Sequence, residues 1–261
     1  MKNDLINQRT EVVIAQMRAA GVFPTFDAPL FSQFGGDVPA DFQLSLSLAA
    51  NAAGGEIYYT TDGSDPIGET VPPGSTETVL LNQGIAARAL IPSIANGGDL
   101  LADSWQGGTE PFDDSSWLSG SSGMGYDVGT TYQTLIGLDL IDMYTETPSA
   151  FARIEFTLNQ TQLDAIDQLR LDMKAEDGFV AYLNGVEIAS LQKPDPLNWD
   201  SPSAGSTSDS IAMTFQPHDI SAHIGELVVG TNVLAFHILN QSNGSSDLLC
   251  LPRLVGLEFP G

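Results

Sequence analysis

The strongest local signal in this sequence is the Asn184-Gly185 pair. It separates two strand-like runs, 180–183 and 186–188, that are rich in apolar and β-branched side chains. A two-residue hairpin loop of type I′ needs positive φ at both positions, and Asn-Gly meets that need best. The pair therefore predicts a tight antiparallel hairpin, as expected in an all-β fold.

Most of the remaining chain also has β-type patterns. Residues 42–48 alternate apolar and polar side chains, which predicts a half-buried strand, and 57–61 predicts another before a polar turn. Gly-, Ser- and Asp-rich stretches at 106–130 and 198–210 predict long loops. Further strand candidates are 78–81, 87–91, 151–158, 168–174, 178–183, 186–191, 211–215, 231–239 and 252–259.

The first segment is the only convincing helix. Thr10 can cap it, and Val13, Ile14 and Met17 fall on one side before Gly21 ends it. A Pro- and Gly-containing stretch then predicts a domain boundary near residue 77. We expect three parts: the helix at 1–22, as a remnant of an upstream domain, a small β module at 23–77, and a β-sandwich at 78–261.

The charge balance excludes several partners. The chain has 33 acidic and 9 basic residues, a formal net charge of −24. Nucleic-acid binding needs clustered Lys and Arg side chains, and no such cluster occurs. The negative field also disfavours anionic lipids and uronate-rich glycans. A solvating surface of the kind found in proteins from salty environments explains the acidity equally well.

Cys250 is the only cysteine, so no intramolecular disulfide can form. No run of about 20 apolar residues is present, and no membrane insertion is expected. The first 13 residues lack the apolar stretch of a signal peptide. The chain is therefore either cytosolic or an internal piece of a longer secreted protein.

Three stretches carry a resemblance to known families. The run IYYTTDGSDP at 57–66 resembles the chitobiase/hexosaminidase C-terminal type of immunoglobulin-like module, in a reduced form. PFDDSSW at 111–117 and EDGFVAYLNGVE at 176–187, followed by GTNVLAFH at 230–237, resemble the galactose-binding-like jelly rolls. The resemblance implies an all-β fold: a galactose-binding-like jelly-roll β-sandwich over 78–261, a small immunoglobulin-like β module and a short N-terminal helix.

The whole layout also resembles the C-terminal part of large secreted bacterial proteins, of the kind found in planctomycete-like bacteria. In those proteins this part follows a spore-coat-protein-H-type kinase-like domain or a lamin-tail-like domain. The resemblance implies an extracellular or cell-surface location, with the upstream domains of the parent chain as partners.

No catalytic signature is present: the chain lacks G-x-S-x-G, H-E-x-x-H, P-loop and G-x-G-x-x-G motifs. Sugar binding requires less, namely an aromatic face and a few polar groups. Trp117 is expected to pack in the core, and His237, on the strand face opposite Leu234 and Phe236, is expected to have a hydrogen-bonded structural role. The candidate ligand-binding residues are Trp199, Trp105, Tyr126, Asp127, Asn198 and Asp200.

No cofactor is expected to be required, with one structural Ca²⁺ as the alternative that the jelly-roll resemblance implies. Its hard oxygen ligands would come from Asp113, Asp114 and Glu258. The spacing of these residues matches no EF-hand, so the sequence indicates no definite ligand set.

We therefore expect a non-catalytic carbohydrate-binding or surface-adhesion module for neutral glycans, within a larger secreted bacterial protein. One alternative is a structural spacer that braces an upstream catalytic or kinase-like domain. Another is a polysaccharide-degrading enzyme with an unfamiliar site.

Overall fold

The computed structural model describes residues 12–14, 16–18, 27–33, 38–39, 42–51, 57, 71–72 and 74–260. The chain divides into two compact units, Met1–Thr70 and Val71–Gly261. Among the described residues, no helix is long and apolar enough to cross a membrane. The second unit begins upstream of the predicted residue 78 because its first strand starts at Thr76; the three-part division stays a prediction.

In the first unit, residues 12–14 and 16–18 are helical, within the predicted helix. Strand β1 (Leu30–Phe31) pairs antiparallel with β2 (Leu46–Ser47). The prediction of a half-buried strand over 42–48 is wrong for most of that range. Phe42 and Leu44 are exposed and outside any strand, because alternation alone supplies no surface on which they could pack. Of the predicted strand 57–61, residues 58–61 lie outside the described residues.

The second unit is a β-sandwich of two sheets, which confirms the predicted all-β fold class. The first sheet has the order β11-β10-β13-β8-β4-β5, and the second β12-β9-β14-β6-β7, with β3 also paired to β14. The strands are β3 (Thr76–Leu81), β4 (Ala86–Leu90), β5 (Leu118–Ser121), β6 (Met124–Asp127), β7 (Leu138–Asp139), β8 (Ser149–Leu158), β9 (Gln168–Glu176), β10 (Gly178–Leu183), β11 (Val186–Leu191), β12 (Gln216–Asp219), β13 (Gly230–Leu239) and β14 (Asp247–Glu258).

Short helices connect these strands. Two are α-helical, Gln160–Asp164 and Asp209–Ala212. The 3₁₀ turns are Gly98–Leu100, Ser104–Gln106, Ile141–Met143 and Ser221–Glu226. Almost all pairs of strands are antiparallel; β6 and β7 form a parallel pair.

Strand β13 shows how the core forms. Leu234, Phe236 and Ile238 point between the sheets and belong to the main core, as the alternation predicts. Val233 and Leu239, on the other face, are equally buried in a second apolar cluster. Both faces of the first sheet are therefore covered, and the outer face carries the site described below.

The predicted hairpin is confirmed. Strands β10 and β11 pair across Asn184 and Gly185, which have φ values of 49° and 91°. Both values are positive, as a type I′ turn requires.

In the second unit, two element predictions are wrong. Residues 211–215, predicted as a strand, contain the end of the helix Asp209–Ala212, which follows Ser208 as its N-cap residue. The predicted loop 106–130 contains β5 and β6. Its glycines permit close strand contact: a Cβ on Gly125 would lie 2.0 Å from the carbonyl oxygen of Leu248 on β14.

Candidate functional site

A cavity of about 280 Å³ opens on the outer face of the first sheet. Its floor comes from three neighbouring strands: Phe151 on β8, His237 on β13 and Tyr182 on β10. The rest of its wall belongs to connecting segments and consists of Gly98, Asp99, Ala102, Asp103, Trp105, Gln106, Leu197, Asn198 and Trp199. We call this the Trp199 cavity.

Aromatic packing holds one wall of the cavity in place. The Trp105 ring stacks on Phe151, with ring centroids 4.3 Å apart and planes inclined by 13°. It also meets the Tyr182 ring edge-on at 5.8 Å. Contacts of this kind contribute about 0.5–1.5 kcal/mol each beyond the apolar area that they bury. Trp105 is only 2% exposed, so it acts mainly as a packed wall.

Hydrogen bonds fasten the loop that carries Trp199. Ser149 Oγ donates to the carbonyl oxygen of Ser201 at 2.7 Å, and Ser149 Oγ lies 3.0 Å from His237 Nε2. Since the single hydroxyl proton is used on Ser201, His237 Nε2 must be the donor in the second contact. Within the loop, the Asn198 backbone N–H donates to Ser201 Oγ at 2.8 Å.

His237 is a structural residue at the cavity floor. It is 3% exposed, and burial lowers its pKa to about 3, so the imidazole is neutral at physiological pH. Its partner Ser149 is fully buried and its proton is already donated, so this Ser–His contact does not supply an activated nucleophile. The hydrogen bond between His237 and Ser149 is the structural role that the sequence analysis expected for His237.

Arg153 anchors the segment that forms the opposite wall. Its side chain is fully buried, and it donates to Asp114 at 2.9 Å, to Glu110 at 2.8 Å and to the carbonyl oxygen of Trp105. These contacts bind residues 105–114 to β8. The sequence analysis missed this residue, although an arginine within the otherwise apolar run 150–154 was a usable signal.

The cavity brings together three of the six predicted ligand-binding residues. Trp199, Asn198 and Trp105 line it, and Trp199 is partly exposed. Asp200 is exposed in the same loop but is not part of the lining.

The other two predicted ligand-binding residues lie on β6 in the second sheet. Tyr126 is 1% exposed, donates to the Ser245 carbonyl oxygen at 2.8 Å, and accepts from Asn240 Nδ2 at 2.9 Å. Burial raises the pKa of Tyr126 to about 12. Asp127 accepts the backbone N–H groups of Gly129 and Tyr132, each at 2.7 Å. The side chains of Tyr126 and Asp127 therefore form hydrogen bonds that stabilise the adjacent loops.

The three predicted calcium ligands lie in two separate parts of the sandwich. Asp114 pairs with Arg153 and lies 3.5 Å from Arg88, and Asp113 accepts the backbone N–H of Ser115. Glu258 ends β14 in the second sheet. Within the part of the chain that the structure describes, no group of three or more His, Cys, Asp or Glu residues is arranged to hold a metal ion. A structural Ca²⁺ stays a prediction.

Comparisons with known proteins give one family match and several similar structures. A family model described as Fn3 associated matches residues 46–90. No curated protein matches the chain significantly.

The similar structures are large glycosidases. A Bacteroides uniformis beta-glucuronidase 2 has 13% identity and a TM-score of 0.40, covering 70% of this chain and 18% of that one. A glycosyl hydrolase family 2 member from Bacteroides cellulosilyticus has 11% identity and a TM-score of 0.41, covering 70% and 21%. An uncultured Clostridium sp. beta-glucuronidase has 13% identity and a TM-score of 0.40, covering 73% and 30%. This chain thus spans less than a third of each of these structures.

Proposed function

We propose that this chain is a non-catalytic carbohydrate-binding or surface-adhesion module of a larger secreted bacterial protein, and that it binds neutral glycans in the Trp199 cavity. In this proposal the protein acts outside the cell, and domains upstream in the parent chain, of kinase-like or lamin-tail type, perform any chemistry.

The proposal depends on two features of the Trp199 cavity: the partly exposed Trp199 ring, and a hydrogen-bond acceptor on Asp99 that has no partner. Trp199 offers its ring at the cavity wall, where the apolar face of a pyranose can stack. Asp99, also in the wall, has a buried Oδ1 atom without a hydrogen-bond partner. Since buried acceptors are nearly always paired, a sugar hydroxyl donating to this atom would remove the deficit.

Charge supports the choice of a neutral glycan. Asp99 and Asp103 both line the cavity, and the whole chain carries a net charge of −24. A uronate or sulfate group would meet like charge there, which costs binding free energy. The commitment of Ser149 and His237 to structural hydrogen bonds supports a non-catalytic role.

The test is a glycan array followed by calorimetric titration of the wild type and of Trp199→Ala. We expect neutral glycans to bind the wild type and the variant to lose about tenfold or more in affinity, because about 1.4 kcal/mol of lost stacking corresponds to a factor of ten. Tyr144→Ala is the matched control, since Tyr144 is an exposed aromatic outside the cavity; it should bind as the wild type does.

An array without any bound glycan would overturn the proposal and favour the spacer alternative. Sequencing the complete gene gives an independent check of the accessory role. An upstream catalytic or kinase-like domain is the expected result.

A further inference from the structure

A second cavity, of about 660 Å³, lies beside the edge of the first sheet. Apolar side chains form much of its wall, including Leu90 on β4, Phe112 and Trp117. Two carboxylates, Asp113 and Asp142, complete one part of the lining together with the Ser116 hydroxyl. Aromatic surface with a few polar groups is the chemistry of a sugar site, and we call this the Phe112 cavity.

Neighbouring strands of one sheet contribute to both cavities. Leu90, in the Phe112 cavity, is the cross-strand partner of Phe151, in the Trp199 cavity. Phe151 is in turn the partner of His237 on β13. Neighbouring strands are about 4.8 Å apart, so these three residues form one row across three strands, roughly 10 Å long.

One chain segment contributes to both walls. Leu101 lines the Phe112 cavity, and the adjacent Ala102 lines the Trp199 cavity. Trp105, Trp117 and Phe112 belong to the same apolar cluster on the outer face of the sheet. The two cavities therefore share one wall segment and one apolar cluster, on the same face of the sheet.

We propose that the Phe112 cavity and the Trp199 cavity are neighbouring subsites for one extended neutral oligosaccharide. The inference rests on the proposed function and adds to it that the ligand is a chain of several sugar residues. Carboxylates line both cavities, so uronic acid residues are disfavoured at either subsite.

The experiment is a calorimetric titration with β-1,4-linked gluco-, manno- and galacto-oligosaccharides of one, two, four and six residues. For at least one series, we expect affinity for the wild type to rise tenfold or more between the monosaccharide and the longest member. Trp199→Ala should weaken every member of that series.

Ser116→Trp tests the second subsite. Ser116 is an exposed residue of the Phe112 cavity, so the larger side chain fills the cavity without removing core packing. The variant should bind the monosaccharide as the wild type does and lose the gain with length. Val128→Trp is the control, because Val128 is 55% exposed, directly follows β6 in the second sheet and lines neither cavity.

The outcomes separate the two proposals. Affinity that does not depend on length, or a Ser116→Trp variant that binds the longest member as tightly as the wild type does, overturns the second subsite and leaves the first in place. No binding of any member overturns the extended site, and together with an array that binds no glycan it overturns the first proposal as well. If Ser116→Trp fails to fold, as judged by thermal unfolding, Asp142→Trp fills the same cavity from another part of its wall.

Discussion

At the scale of single residues, Glu176 is a buried carboxyl group in an environment that disfavours its charged form. It is 6% exposed, and its Oε2 atom has no hydrogen-bond partner. Burial, followed by the neighbouring Asp177 and Asp247, raises its pKa to about 10, so the carboxyl group is neutral at pH 7. The folded state thus retains a proton that the unfolded chain has lost above its ordinary pKa of 4.5.

This proton makes stability depend on pH. Since the unfolded state binds fewer protons at this carboxyl group than the folded state between those two pKa values, the free energy of unfolding should fall as pH rises from about 7 to about 10. Below about pH 6.5 the lowered pKa of His237 has the opposite effect. Glu176→Gln carries no charge at any pH, so we expect a flatter profile and a melting temperature a few degrees above that of the wild type at pH 8. Calorimetry across this pH range measures both.

Glu155→Gln is the matched control for this prediction. Glu155 is an exposed glutamate on β8, and its replacement should leave the pH profile unchanged. A wild-type stability that stays constant or rises between pH 7 and pH 9 would contradict the neutral state of Glu176.

At the scale of elements, the β10–β11 hairpin supports the site as well as the sheet. The Gly185 backbone N–H donates to the Gln106 carbonyl oxygen at 2.9 Å, next to Trp105. Gly185 has a φ of 91°, and a Cβ there would lie 2.6 Å from the Gly108 Cα. The turn therefore needs glycine both for its conformation and for this close approach.

Gly185→Ala should lower the free energy of unfolding by about 2 kcal/mol or more, because strain and steric overlap add. Urea denaturation measures this loss. Gly225→Ala is the control: Gly225 has no atoms within 4 Å of the added Cβ, and its replacement should cost much less. Equal effects of the two substitutions would show that the contact between the hairpin and Gly108 does not contribute to the free energy of unfolding.

At the scale of the whole molecule, the excess of acidic side chains destabilises the compact state through repulsion. The 33 acidic residues have only 9 basic ones to oppose them. Raising NaCl from about 10 mM to about 1 M shortens the screening length from about 30 Å to about 3 Å, so repulsion between surface carboxylates is suppressed. We expect the melting temperature to rise by several degrees. A melting temperature that falls with salt would mean that ion pairs such as those of Arg153 with Glu110 and Asp114 outweigh the repulsion.

Features that depend on near neighbours in the chain could be predicted from the amino-acid sequence. Asn184 and Gly185 specify their turn through their own φ preferences, and the alternation on β13 assigns Phe236 to the core and His237 to the other face. Trp117 is buried, as its motif predicts. Periodicity also located most of the long strands, because one buried face requires a period of two.

Only the tertiary structure decided what covers the outer face of the first sheet. It brings Trp105 and Trp199 to one cavity from distant parts of the chain, and it buries Arg153 between Glu110 and Asp114. The sequence did not predict strands β5 and β6, because they lie in a glycine-rich stretch and glycine occurs both in loops and where strands approach closely. Such contacts depend on which distant segments the fold brings together, and local patterns carry no information about that.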